Sequence, residues 1–158
     1  MKLQDIVVED AIVIGLKASD RDAAITELVD ALIEAGAVKK TSREPFIESI
    51  LHRESRGSTG FGRGVAVPHV KHTDVKQLTI AVGTSAEGVE FNALDGEPVF
   101  SIFLLLSPED RPEDHLDAME AIFGNLQQDT FRRFLLQAKE VGDVLTLLKE
   151  ADARAATL

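Results

Sequence analysis

With 158 residues and a formal net charge of −10, set by 27 acidic against 17 basic side chains, the chain as a whole repels nucleic-acid backbones and anionic lipid. It has no cysteine, which excludes disulfides, thiolate chemistry and zinc–thiolate centres. No apolar run approaches the roughly 20 residues of a membrane-spanning helix, so membrane insertion is not expected.

A hydrophobic share of 44% at this length fits a single domain over residues 1–158 with a sizeable core. The N-terminal Met1-Lys-Leu-Gln-Asp5 lacks the layout of a signal peptide, so the cytoplasm is the expected compartment. Residues 11–16 (Ala-Ile-Val-Ile-Gly-Leu) read as a first strand or extended segment. A helix is predicted from Ser19. Ser19 or Asp20 can cap it, apolar residues recur at Ile25, Leu28, Val29, Leu32 and Ile33, and Gly36 can end it. Thr41-x-x-Glu44 has the form of a capping box, and the helix it opens carries Phe46, Ile47, Ile50 and Leu51 on one face and ends near Arg53. A glycine-rich stretch follows, with Gly57, Gly60, Gly62 and Gly64 ahead of Val65-Ala66-Val67-Pro68-His69. The valine-rich run is expected to form a strand that stops at Pro68 and displays His69 at its end.

Beyond His69, Leu78–Val82, Val89–Phe91 and Val99–Leu106 read as strands. The last is apolar almost throughout and is expected at the centre of the sheet, buried on both faces. The segment between the last two carries an Asp95-Gly96 turn signal, and Ser107-Pro108 is expected to break the final strand. Three helices close the chain. The first covers Glu113 to Leu126 with Leu116, Met119, Ile122 and Phe123 inward, the second runs from a Thr130 cap through Gln137, and the third spans Asp143 to Glu150 with Val144, Leu147 and Leu148 inward. Strands bracketed by helices at both ends give an α/β sandwich around a mixed sheet.

The chemistry concentrates around His69. A neutral imidazole has a lone pair at cellular pH and can take a phosphoryl group as a labile N–P bond. Phosphoryl transfer needs in-line positioning and charge neutralisation. Candidates to supply them are the hydroxyls of Ser58 and Thr59, loop amides such as that of Gly60, and the Arg53 guanidinium. Arg53, Arg56, Arg63 and Lys71 together make a small basic neighbourhood on an acidic chain. The plainer reading of His69 is a histidine that ends a strand and bonds a carbonyl. His115, in Pro112-Glu-Asp-His-Leu116, either faces His69 and donates to the transferred phosphate or sits at the surface of a helix start. His52 and His72 read as solvated.

Three other motif readings compete. His69-x-x-His72 could hold zinc with His115 or an acid, but no glutamate lies between the pair as in helical zinc hydrolases, so no metal is assigned. Gly60-x-Gly62-x-Gly64 lacks the Gly-Lys-Ser/Thr and the spacing of nucleotide loops. Ser58 lacks the Gly-x-Ser-x-Gly elbow of hydrolases.

The segment Gly57-Ser-Thr-Gly60-Phe-Gly62-Arg-Gly64-Val-Ala-Val-Pro68-His69-Val-Lys71 resembles the active-site signature of a known family. It is that of the fructose/mannitol/nitrogen-type enzyme IIA (EIIA type-2) domain of the bacterial phosphoenolpyruvate-dependent phosphotransferase system. The resemblance implies a mixed sheet of about five strands flanked by helices, the mannitol-specific EIIA-like sandwich. It also implies a cytoplasmic phosphotransferase component in which His69 accepts phosphoryl from the phosphocarrier HPr and passes it to an EIIB domain or uses it as a regulatory state. Arg53 and His115 match the family's active-site arginine and second histidine. No metal, organic cofactor or nucleic acid is implied. The chain departs from the family pattern at Val70, where Gly, Ala or Cys is usual; a β-branched residue there could narrow the approach to His69 or alter partner docking. The absence of a fused transporter in this sequence favours the nitrogen-type regulatory branch over sugar transport. A third reading is a non-phosphorylated interaction module with the same fold.

Overall fold

The computed structural model describes residues 1–157. A single helical turn, α1 (Leu3–Ile6), runs into strand β1 (Val7–Ile14). The strand begins ahead of the predicted segment because Val7 already pairs with Ile80. A register shift before Ile12 absorbs Glu9 and Asp10, whose charges hide this half of the strand from the apolar pattern. Helix α2 (Arg21–Glu34) starts at one of the two predicted caps, with the Asp20 carboxylate accepting from the Ala23 amide at 2.9 Å. Its buried stripe is Ala24, Ile25, Leu28, Val29 and Leu32.

A 3-10 turn (Lys40–Ser42) leads into α3 (Arg43–Ser55), which buries Phe46, Ile47 and Ile50. The capping box predicted at Thr41 does not form. Ser42 occupies the cap position, and its hydroxyl bonds Asp74 at 3.2 Å instead of an amide of the helix. The glycine-rich stretch folds into a small hairpin of β2 (Gly60–Gly62) and β3 (Val65–Ala66), turned through Arg63 and Gly64, both at positive φ.

Pro68 does not end the strand region. The chain re-enters the sheet at once as β4 (His69–His72), because only the missing N–H of proline interrupts the ladder; its carbonyl still accepts from the Leu105 amide at 3.0 Å. Two long strands follow, β5 (Thr79–Val89) and β6 (Val99–Pro108). β6 runs through the expected break, with Ser107 and Pro108 registered against Lys71 and His72. Phe91 lies outside β5 and is buried as a loop residue.

The helices at the end are α4 (Pro112–Leu126), α5 (Asp129–Gln137) and α6 (Val141–Ala156). α5 is preceded by Gln128 at its cap position, two residues earlier than the predicted Thr130 cap. α6 opens on a capping box between Glu140 and Asp143. Inward positions on α4 are His115, Ala118, Ile122 and Leu126, while Met119 and Phe123 are half-buried. Leu116 is 63% exposed, so the predicted face is turned by about one residue, and a histidine takes the inward place expected of a leucine.

The strand order is β1-β5-β6-β3-β2, with β4 also on β6. β1 runs parallel to β5, β5 antiparallel to β6, and both β3 and β4 parallel to β6. β3 pairs at Ser101 and Ile102, and β4 pairs from Leu105 to Pro108, so the two form one line along β6 broken at Pro68. Among the described residues, six strands therefore occupy five lateral positions. Helices α2 and α3 cover one face, against Ile102, Leu104 and Leu106. α1, α4, α5 and α6 cover the other, against Phe103 and Leu105. Each fully buried side chain of this size contributes about 1.5–3 kcal/mol. The Asp152 carboxylate ties the ends together by accepting from the Leu3 and Gln4 amides at 2.8 and 3.0 Å. Among the described residues no helix is long and apolar enough to cross a membrane.

Candidate active site

Side chains alternate along a strand, and residues paired across a ladder share a face. His69 registers with Leu105 and Lys71 with Ser107, which places both on the α4 side of the sheet. Val70 and His72 point the other way.

His69 is half-buried, and its Nδ1 lies 2.8 Å from the Val67 carbonyl oxygen. A carbonyl only accepts, so Nδ1 carries the hydrogen and Nε2 carries the lone pair. Burial pushes the His69 pKa below its ordinary value; the bond to Val67 opposes that, and the charge of Arg53 adds to it. The ring of His115 faces it, with centroids 5.5 Å apart and planes at 49°. His115 is only 6% exposed, and its Nδ1 lies 2.6 Å from the Ser107 hydroxyl. Its pKa is pushed down to about 4, first by burial and then by His69 and Lys71. Two neutral imidazoles therefore stand side by side at neutral pH.

Arg53 ends α3 half-buried and donates from Nη1 to the Gly57 carbonyl at 2.8 Å, which spends one of its five N–H groups. The next residue, Glu54, is 3% exposed. Its carboxylate accepts from the Thr59 amide at 2.9 Å and from the Thr59 hydroxyl in a short bond. The other expected anion-holding groups are likewise engaged inside the loop. Ser58 donates to the Phe91 carbonyl over a long 3.4 Å and accepts from the Gly60 amide at 3.0 Å. Of the expected groups, the structure brings together His69, His115 and the charge of Arg53; Ser58, Thr59 and Gly60 shape the loop beside them.

Of the other basic residues, Lys71 stays with the two imidazoles and its charge acts on both, while Arg56 and Arg63 lie elsewhere. Arg56 is exposed, and Arg63 reaches the Gln127 carbonyl at 3.3 Å. His52 is exposed as expected. His72 is half-buried: its ring packs edge-on against Phe46 at 5.1 Å, and its Nδ1 accepts from the Asp74 amide at 3.0 Å. It lies on the opposite face of β4 from His69, so the two cannot share an ion. Val70 also faces away, packed on the core under α2 and α3, and does not narrow the approach to His69.

Sequence reasoning passed over Glu54 and Ser107. Glu54 had a visible signal, because it continues the four-residue spacing of Phe46 and Ile50 and so puts a carboxylate on the buried stripe of α3. Ser107 had none, since it was read as the break after β6.

Residues 5–151 match the family model described as "Phosphoenolpyruvate-dependent sugar phosphotransferase system, EIIA 2". The chain belongs to this EIIA family. Its domains are phosphoryl-transfer components, and the paired imidazoles lie within the matched span. The nitrogen regulatory protein of Bradyrhizobium diazoefficiens is 30% identical over 99% of this chain and 100% of its own length. The fructose-specific EIIABC component of Bacillus subtilis is 32% identical over 96% of this chain, which spans 24% of that longer protein. Among solved structures, the nitrogen regulatory protein IIA-Ntr of Neisseria meningitidis superimposes with a TM-score of 0.83 at 32% identity, covering 92% of this chain and 98% of that one. The EIIA fold is thus common to the chain and to IIA-Ntr.

Proposed function

We propose that the chain is a single-domain histidine phosphocarrier of the phosphoenolpyruvate-dependent phosphotransferase system, acting in the cytoplasm. The observation that carries this reading is the bond from His69 Nδ1 to the Val67 carbonyl, which leaves Nε2 as the lone pair beside His115. In the transfer, Nε2 of His69 gives its lone pair to phosphorus and the N–P bond of a phosphohistidine donor, HPr, breaks. The donor imidazole recovers its electron pair, and Nδ1 of His69 keeps its proton on Val67. Arg53 neutralises the phosphoryl oxygens with the N–H groups not used on Gly57. Ser58 is the loop hydroxyl able to turn toward them, since its present bond is long. With Ser107 donating to its Nδ1, His115 offers an Nε2–H to the phosphoryl group.

The nitrogen-type regulatory role is the favoured one, supported by end-to-end similarity to a nitrogen regulatory protein and by the IIA-Ntr fold match. In that role the phosphorylation state of His69 governs binding to a target protein. Similarity to the fructose-specific component favours a second reading, in which phosphoryl passes to an EIIB domain for sugar transport. Incubation with phosphoenolpyruvate, enzyme I and HPr should give an acid-labile mass gain, absent in His69→Ala. No gain on the wild type removes the carrier reading and leaves a binding module; an undiminished gain on His69→Ala moves the site elsewhere.

A further inference from the structure

A buried carboxylate needs partners for both oxygens, and Glu54 spends both of its own on one residue, Thr59. That grip fixes Thr59 in position and direction. The Thr59 carbonyl in turn accepts from the Val67 amide at 3.3 Å, and the Val67 carbonyl accepts from Nδ1 of His69 at 2.8 Å. Val67 belongs to neither β3 nor β4, so no ladder element on its own holds the carbonyl that the imidazole reads. An unbroken series of hydrogen bonds thus runs from the end of α3, through the glycine-rich loop, to the candidate phosphoryl acceptor.

We infer that Glu54 is a positioning residue for His69, holding Thr59 and through it Val67 so that the imidazole keeps its hydrogen on Nδ1 and its lone pair on Nε2. The functional meaning of this rests on the phosphocarrier reading, but the geometry does not. Glu54 itself touches neither ring nitrogen and takes no proton. It acts by deciding where a backbone carbonyl points.

The test is the tautomer of His69, read from the nitrogen shifts of its ring by NMR on the whole chain at neutral pH, with no phosphoryl donor present. In Glu54→Gln, the amide oxygen can accept from the Thr59 N–H and the amide nitrogen can donate to the Thr59 hydroxyl, so the wild-type tautomer should persist. In Glu54→Ala, loss of the grip should move the Nδ1–H to Nε2–H ratio by roughly five- to tenfold, the weight of one net hydrogen bond. Thr59→Ala, which gives up only the hydroxyl bond, should shift the ratio the same way by roughly twofold or more, and it stands in if Glu54→Ala does not fold. An unchanged ratio in whichever of these two variants folds overturns the proposal. So does a shift in Glu54→Gln as large as in Glu54→Ala, because charge rather than grip would then be responsible. A His69 that never accepts phosphoryl would sink the proposed function and leave this result standing.

Discussion

Replacing His115 by asparagine should flatten the acid limb of the stability curve. A histidine held neutral by burial binds fewer protons folded than unfolded, so stability falls as pH drops through the window between the two pKa values. For His115 that window runs from the ordinary value of 6.5 down to about 4. The full difference is worth roughly 3 kcal/mol, and about 1–2 kcal/mol between pH 7 and 4.5 once solvent screening from the open side of the site is allowed for. Against a typical total of about 5–15 kcal/mol this is readily measured. Asparagine does not titrate, yet its amide can still partner the Ser107 hydroxyl, so the comparison is not confounded by an orphaned polar group. Urea denaturation at pH 7 and pH 4.5 on both proteins cancels the titrating groups that do not interact with His115; the adjacent His69 is followed separately by NMR titration in both. The wild type should lose more stability than the variant by the stated amount. Parallel losses would refute the reasoning, because His115 would then be free to protonate in the folded state.

Phosphoryl on His69 should offset part of that depression, whose largest cause is burial. Two negative charges at the 5.5 Å ring separation are worth about 1.5 kcal/mol even at the dielectric of water, so the His115 pKa should rise by at least about one unit in an NMR titration of the phosphorylated protein. Val70→Ala should cost about 1 kcal/mol in chemical denaturation and leave the rate of phosphoryl acceptance unchanged, since Val70 packs on the α2/α3 core. A faster transfer in that variant would mean the residue obstructs the site after all. Gly60→Ala should cost about 1–3 kcal/mol, because the added Cβ would lie 3.0 Å from Ala93 Cβ and 3.1 Å from Ala93 Cα, and backbone there has little room to yield.

What the sequence discloses is what local chemistry decides. Helix α2 is legible because cap, stripe and terminator are all set within its own turns: the Asp20 carboxylate, Leu28 and Leu32, and Gly36. β6 is legible because a strand buried on both faces is apolar at nearly every position. β4 is not, since Pro68 reads as an end in one dimension, and only pairing to residues 105–108 restores the strand. α4 misleads for a different reason. Ile122 fits both of its possible faces, and leucine outweighs histidine in any apolar count, so the pattern turned Leu116 inward and left His115 open between the site and the surface. The site divides in the same way. Arg53, His69 and His115 stand out by residue type and by resemblance to the EIIA signature. Thr59 is expected to hold phosphoryl oxygens because its hydroxyl lies near His69 in sequence, while in the fold that hydroxyl donates to Glu54.

The short length of β2 explains why a histidine rather than a backbone amide meets the Val67 carbonyl. Along the β3–β4 line, even-numbered carbonyls face β6: Gly64 accepts from Phe100 and Ser101, and Pro68 accepts from Leu105. Odd-numbered residues therefore face the β2 side, where the Val67 amide finds Thr59. In a regular antiparallel pair the Thr59 amide would return that bond to the Val67 carbonyl, but it donates to the Glu54 carboxylate at 2.9 Å instead, so the edge offers the carbonyl no backbone donor. A buried carbonyl without a partner is costly, and the His69 ring, two residues on, supplies one. Had β2 been longer by a residue or two, a backbone N–H would take that carbonyl and the imidazole would have no fixed tautomer. On the proposed reading, the nitrogen that would take phosphoryl is thus set by where an edge strand stops, next to the Thr59 that the buried Glu54 carboxylate holds.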